Sequence, residues 1–499
     1  MRQEVLRMER VTYSEHGIKK LEEFQLQIYK GEIMGLIPFN GHGMNAFLDL
    51  LQTNLPIEKG YIYYGNELVN SWKDSRKNHN RVSVIGAQSS LVEDLSVSDN
   101  IFVLRQGFRQ RVIRTTLLRK QLEPFLQDIG MDDISPDSYV GKLSVFQSVV
   151  VEILRAVILG HQLIVLNEIS TLISENELMK LHEIMRKYAM QGYSFLDINP
   201  HLEEIAMVCD RAAFLSHGRI HKIIQNQEMK RDSVDSYTVE YDKVVRDHLE
   251  AQSRKQKDRK DRSVVWSLGN ITFGSLDHMN VDIYEGECVV VQNMDREVFQ
   301  DLTALLAGEA EPEEGEIRMG KEKVRMQGNS GIAVIRELPT VSMIFPELDY
   351  MTNLCMGLTQ RIPDIWYKRK IRESIFQECS PMVGEEVFYK SMDQLTQREK
   401  YQLVYTRILL QKPKVVFCIQ PFKGTDLSHR LFVWKLLKML LNRGIAVVIL
   451  TMNLSDSISL AERLLRIGSG GMAEEITRDN FGGLTEDVPW KFLYEEEKE

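Results

Sequence analysis

No run of about 18 apolar residues occurs in the chain, so no segment reads as a membrane-spanning helix. The most apolar stretch, Val149 to Leu166, is broken by Glu152, Arg155, His161 and Gln162. Cysteine is scarce. Its five positions (Cys209, Cys288, Cys355, Cys379, Cys418) form no Cys-x-x-Cys pair, which excludes a disulfide or zinc framework and fits reduced thiols in a cytosol. The opening MRQEVLRMERV lacks the apolar core of a signal peptide. Basic excess is missing as well, and a net charge of −9 gives no footprint for nucleic acid. The expectation is a cytoplasmic protein with no nucleic-acid partner and no transmembrane segment of its own. It would dock at most peripherally, on the inner face of the cell membrane.

What is present is length and repetition. A chain of 499 residues exceeds one hydrophobic core, and 43% hydrophobic with 27% charged residues is ordinary for a globular protein. FQLQIYKGEIMGLIPFN, Phe24 to Asn40, is echoed by MNVDIYEGECVVVQNMD, Met279 to Asp295. Each reads as an alternating strand, a tight turn and a buried apolar strand. Helix-then-strand patterns follow in the same order: VVVEILRAVILGHQLIVLNE and YQLVYTRILLQKPKVVFCIQ, then LMKLHEIMRKYAMQGYSFLDI and LFVWKLLKMLLNRGIAVVILT. From Gly31 to Gly286 the offset is about 255 residues. Strands alternating with helices predict an α/β fold with helices packed on parallel sheets. The charge run VRDHLEAQSRKQKDRKDRSVVW reads as a solvated linker, its acids nearly balancing its bases. The expected organisation is a first domain over 1–240, a charged linker over 241–262 and a second domain over 263–499.

GEIMGLIPFNGHGMNAFLDLL, Gly31 to Leu51, has the cadence of a phosphate-binding loop. Such a loop needs G-x-x-x-x-G-K-[ST], because glycines let backbone N–H groups wrap the phosphates while the lysine adds charge and the hydroxyl ligates magnesium. Here Pro38 takes the first glycine position, Gly41 and Gly43 survive, Met44 takes the lysine position and Asn45 the hydroxyl position, followed by Ala46. His42 reads as a loop histidine, with protonation as its only route to supplying charge. VQNMDREVFQDL, in the second half, has neither glycine nor lysine; Asp295 and Glu297 would repel phosphate, and Arg296 reads as part of a surface turn.

The segment YVGKLSVFQSVVVEILRAVILGHQLIVLNEISTLIS resembles the signature-to-Walker-B region of ATP-binding cassette proteins. It looks most like the duplicated ATPase subunits of ribose and galactose-type sugar importers. The likeness extends through MERVTYSEHGIKKLEEFQLQIYKGEI, LVEDLSVSDNIF and NPHLEEIAMVCDRAAFLSHGRI, and in the second half through EGECVVV and QLTQREKYQLVYTRILLQKPKVVFCIQPFKGTD. The resemblance implies two tandem cassette-type nucleotide-binding domains, each with a mixed or parallel sheet core and a helical subdomain. ATP with magnesium would be the cofactor, and a membrane permease the partner.

The resemblance also marks what is altered. Asn167 stands for the Walker B aspartate that holds the magnesium shell, while Glu168 stands for the water-orienting glutamate and is the one catalytic position retained. Ile419 and Gln420 replace both in the second half. LSVFQ keeps Ser144 and Gln147 of the signature loop, with Phe146 expected to clash with nucleotide or fill its space; LTQRE has lost both glycines. Pro200 falls at the switch-histidine position, with His201 one place late, and Gln88 lies at or one place past the glutamine linking nucleotide to permease, Ala87 aligning better without a gap. ATP is expected only weakly, in the first domain, with magnesium binding doubtful. The expected function is an impaired cassette subunit partnering a permease or an active cassette ATPase, with Ser89 to Phe102 as docking region. The alternatives are a functional subunit energising monosaccharide import and a soluble scaffold unconnected with transport.

Overall fold

The computed structural model describes residues 3–15, 17–75, 81–103, 115–229, 262–293, 296–358, 369–454, 457–468 and 471–483. The chain divides into two compact units, Met1–Tyr237 and Thr238–Glu499. Residues 241–261 of the expected linker lie outside the described residues.

Unit 1 opens with the antiparallel strands β1 (Glu4–Glu15) and β2 (Ile18–Tyr29). Alternation in FQLQIY buries Phe24, Leu26 and Ile28 and leaves Gln25 exposed, as a half-buried strand requires. The tight turn places Gly31 at φ 72, where an added Cβ would lie 2.9 Å from the Ala189 carbonyl oxygen, so a side chain is excluded twice over. β3 (Ile33–Pro38) is buried at every residue. There follow α1 (Met44–Gln52), β4 (Lys59–Tyr64), β5 (Glu67–Ser71), β6 (Asp74–Ser75) and β7 (Val82–Ile85). Next come α2 (Thr115–Asp128), α3 (Val145–Leu159), β8 (Leu163–Asn167), α4 (Glu175–Met190), β9 (Ser194–Ile198), α5 (Leu202–Val208), β10 (Arg211–Ser216) and β11 (Arg219–Gln225).

These strands form two sheets, ordered β2-β1-β4-β5-β6 and β11-β10-β3-β9-β8-β7. The second is parallel from β10 to β7, with β11 antiparallel at its edge. Continuous apolar runs such as LIVLN follow from this, because a parallel strand is covered on both faces. One core, with Phe24, Leu36 and Phe47, fills the space between the two sheets and α1. Another, with Phe146, Val150, Ile153 and Phe195, lies on the helical side.

Unit 2 repeats the plan: β12 (Val264–Phe273), β13 (Leu276–Tyr284), β14 (Cys288–Asn293), α6 (Arg296–Leu306), β15 (Glu314–Met319), β16 (Glu322–Lys323) and β17 (Ile332–Ile335). It continues with α7 (Pro339–Ser342), α8 (Tyr350–Cys355), α9 (Arg369–Val383), α10 (Gln397–Gln411), β18 (Val415–Ile419), α11 (Leu427–Asn442), β19 (Ala446–Thr451), β20 (Arg463–Gly468) and β21 (Gly471–Thr477). Its larger sheet runs β17-β18-β19-β14-β20-β21, the order of β7-β8-β9-β3-β10-β11. The six paired segments seen as a repeat in the sequence occupy matching places in the two sheets.

The repeat extends to buried charge. Arg211 reaches Glu32 at 2.6 Å, the Tyr29 N–H donates to the same carboxylate at 2.8 Å, and the guanidinium lies 5.0 Å from the Tyr29 ring. In unit 2 Arg463 reaches Glu287 at 2.7 Å, the Tyr284 N–H donates at 2.7 Å, and the ring lies 5.3 Å away. A buried carboxylate is tolerable only with such partners.

Candidate functional site

β3 delivers the chain to the loop over 38–43, and α1 begins at Met44. Gly43 sits at φ 85, and an added Cβ there would meet the Lys20 carbonyl oxygen at 2.3 Å, so glycine is required for local packing. Gly41 faces open space. No side chain caps α1. Met44 is 9% exposed and packs with Phe47 and Leu50 in the core between the sheets, so the lysine position holds an apolar chain turned inward. Asn45 is exposed and Ala46 buried.

The loop is tied to itself and to the β10–β11 turn. Asn40 Oδ1 accepts the His42 N–H at 3.3 Å and the His217 N–H at 3.2 Å. One N–H of the kind that phosphate loops aim at an anion is therefore held by an amide oxygen. Half-buried His42 has Nε2 2.9 Å from the Lys19 carbonyl oxygen, and its ring centroid lies 6.5 Å from that of His217. Asn40 and His217 were missed by sequence reasoning, since 177 residues separate them and no motif links them.

Asn167 ends β8 at the same edge of the sheet as the loop after β3. Its Oδ1 is buried and has no hydrogen-bond partner, which is costly and marks a place lacking its donor. Glu168 takes a left-handed backbone, φ 55, and its N–H donates to the Ile198 carbonyl at 2.9 Å. Gln88 and Ala87 are both exposed, past the end of β7. β9, running between β3 and β8, leads to Pro200 and the buried His201.

Ser144 and Gln147 lie at the start of α3 and satisfy each other. The Gln147 N–H donates to Ser144 Oγ at 3.1 Å, the Ser144 N–H to Gln147 Oε1 at 3.0 Å, and Gln147 Nε2 to Asp133 at 2.7 Å. This is a capping box. Phe146 differs from expectation: it is 4% exposed and packs into the helical-side core. The reason is register, since a residue two places past the cap faces inward.

Unit 2 holds α6 from Arg296, with Val298 and Phe299 buried, where a surface turn was expected; Met294 and Asp295 lie outside the described residues. Gln420 repeats the backbone of Glu168, with φ 42 and its N–H on the Leu450 carbonyl at 2.8 Å, and its buried Oε1 has no partner. Lys423 Nζ lies 2.8 Å from Glu337, linking the loops after β18 and β17. Thr396 and Glu399 form the matching capping box on α10.

The expected docking region is built around an asparagine whose hydrogen bonds recur in unit 2. Buried Asn100 donates to the carbonyls of Val92 and Ser96 at 3.0 Å and accepts the Val92 N–H at 2.8 Å. Buried Asn353 donates to Phe345 at 2.9 Å and Leu348 at 3.1 Å, and accepts the Phe345 N–H at 2.9 Å. α3 bolts the region down through Glu152, 3% exposed, which accepts the Ser90 N–H at 2.8 Å. Burial pushes the neighbouring Arg155 guanidinium down, and Glu152 opposes that shift. In unit 2 Val404 replaces the carboxylate, and Arg407 donates to the Met343 carbonyl at 2.6 Å.

The residues fit a magnesium nucleotide incompletely. Glycine backbone and an uncapped α1 are present, but the cation position is apolar and the N–H groups of Phe39, His42 and Met44 are engaged within the protein. Among the described residues no group of three or more His, Cys, Asp or Glu could hold a metal ion, and no helix is long and apolar enough to cross a membrane.

The ABC transporter family profile matches residues 21–171. The chain is 21% identical to the ribose import ATP-binding protein RbsA of Caldanaerobacter subterraneus subsp. tengcongensis, covering 95% of this chain and 96% of that one. It is 22% identical to the xylose import ATP-binding protein XylG of Moorella thermoacetica, with coverage of 95% and 96%. To the galactose/methyl galactoside import ATP-binding protein MglA 1 of Photobacterium profundum it is also 22% identical, with coverage of 95% and 97%. An ATP-binding cassette of an ABC transporter, solved in its ADP conformation, aligns at 17% identity with TM-score 0.41, covering 48% of this chain and 97% of that one. Over about 95% of its length the chain thus matches ATP-binding-cassette proteins of sugar import. More narrowly, it is a homologue of the ATP-binding subunits of sugar importers.

Proposed function

We propose that this chain is a catalytically impaired cassette subunit that acts as a structural or regulatory partner of a sugar-import permease or of an active cassette ATPase. The observation that carries the reading is the contrast between Asn100 and Asn353, repeated bond for bond, and Met44, which turns the lysine position into core. A charge-assisted hydrogen bond contributes about 1.5–3 kcal/mol, so loss of the lysine alone weakens nucleotide binding roughly tenfold to a hundredfold. ATP would contact unit 1 weakly, through Gly41, Gly43 and the first turn of α1. Transition-state donors act together, so nothing in the altered set restores turnover.

The test is calorimetry on the whole chain with Mg-ATP, Mg-ADP and metal-free ATP. Expected is no heat, or weak binding at millimolar nucleotide that does not need magnesium. Co-purification with a membrane permease is the expected companion result. Retention of Glu168 favours a second reading, a functional subunit energising monosaccharide import. Tight magnesium-dependent binding, with turnover abolished by Glu168→Gln, would establish that reading and remove the first.

A further inference from the structure

In unit 2 the loops after β17 and β18 are joined by an ion pair that the sequence of unit 1 cannot make. Glu337 follows β17 and Lys423 follows β18, and their side chains meet at 2.8 Å. The ammonium is 25% exposed and the carboxylate 34%. Counted from the ends of β7 and β8, the same places in unit 1 hold Ala87 and Thr171. Ala87 is exposed, and the Thr171 hydroxyl turns back to the Glu168 carbonyl at 2.9 Å.

Backbone and packing shape the two loops around this pair. Leu338, next to Glu337, has left-handed backbone at φ 46, and Gln420, at the head of the other loop, has φ 42. The Leu338 carbonyl accepts the N–H groups of Val341 at 2.9 Å and Ser342 at 3.0 Å. The Ser342 hydroxyl donates to the Glu337 carbonyl at 2.8 Å, and the Lys423 N–H to the Gln420 carbonyl at 3.1 Å. Gly424, at φ 68, admits the Leu338 side chain: a Cβ added there would lie 3.0 Å from Leu338 Cδ2. From this junction hydrogen bonds lead onward to α10. Gln397 Nε2 donates to the Thr340 hydroxyl at 3.5 Å, and Arg407 to the Met343 carbonyl at 2.6 Å. Arg407 also reaches Asn353 Oδ1 at 3.5 Å, at the centre of the repeated loop.

We infer that Glu337 and Lys423 form a clasp, a stand-in for a ligand, that keeps the Phe345–Asn353 loop of unit 2 in place with nothing bound between the two strand ends. A left-handed leucine is unfavourable by itself, so loss of the pair lets Leu338 relax and the loop open. In unit 1 Ala87 and Thr171 leave the joining of the two loops to whatever binds there. Unit 2 thus presents a fixed surface and unit 1 a responsive one. That consequence for a partner rests on the reading of these loops as docking surfaces, whereas the clasp itself does not.

Hydrogen exchange by mass spectrometry on the full chain tests it, with peptides over 336–345 as the reporter. Glu337→Gln and Lys423→Met are each expected to speed exchange there about threefold, the scale of a partly exposed ion pair. The double variant is expected to match the singles, because either change already breaks the clasp. Peptides over 82–92 of unit 1 are expected to keep the wild-type rate. Singles that exchange like wild type, a double variant near the ninefold product, or an equal rise over 82–92 each overturn the clasp. Co-purification with a permease is a separate readout: its failure removes the docking reading and leaves the clasp standing.

Discussion

Unit 1 and unit 2 share the strand order of their larger sheets, the buried arginine–glutamate pair and the asparagine-centred loop. They part in how they fill the helical side. Where unit 1 has His182, Asp197 and Glu152, unit 2 has Trp434, Ile449 and Val404. Trp434 is fully buried with Nε1 donating to Ser459 at 3.0 Å, so its one polar atom is satisfied. The difference teaches that one scaffold tolerates either polar side chains or an apolar fill at the same places. The polar version demands that every member find a partner, while the apolar version demands only volume.

The largest effect is expected from Trp434→Ala, which opens a cavity in unit 2 and costs about 3–5 kcal/mol by denaturant unfolding. His182→Ala should cost unit 1 far less, and equal costs would break the contrast. Next, Glu287→Gln and Glu32→Gln each leave a buried guanidinium short of its partner, at about 3 kcal/mol apiece. Unequal losses would show that the pair does different work in the two units. Asn100→Ala and Asn353→Ala should each cost about 2 kcal/mol, because several loop carbonyls and one N–H lose their partners together. Proteolysis of each loop is the sharper readout, and only the mutated unit should be cut faster. Smallest is Lys423→Ala: the pair with Glu337 is partly exposed, and its loss should stay below about 1 kcal/mol in a thermal melt.

Much of this architecture was legible before any coordinates. Buried strands such as β3 and the Leu163–Leu166 run of β8 announce themselves as apolar runs between turn signals, and the two glycine turns at Gly31 and Gly286 set the phase of the repeat. The helix after the signature segment was legible too, and the signature-loop positions Ser144 and Gln147 form its cap. Ser-x-x-Gln and Thr-x-x-Glu are capping boxes, and that reading alone turns Phe146 inward. Other features had no local signal. Asn40 meets His217 only because β3 and β10 are neighbours, and Asn199 reaches Ser170, 29 residues away, as well as Glu204. Side chains that converge through tertiary packing leave no spacing to read.

Glu168 and Gln420 hold the same left-handed backbone, although only one of them is a carboxylate. A non-glycine residue there costs on the order of 1 kcal/mol or more. In both units the N–H of that residue reaches across to the end of the neighbouring strand, Ile198 or Leu450. The kink is thus a mechanical keystone: it closes the sheet's edge where one strand must hand over to a loop. Strain at this position reports how the masonry is joined, and a surveyor of other duplicated chains would mislead himself by taking it as a mark of a working engine.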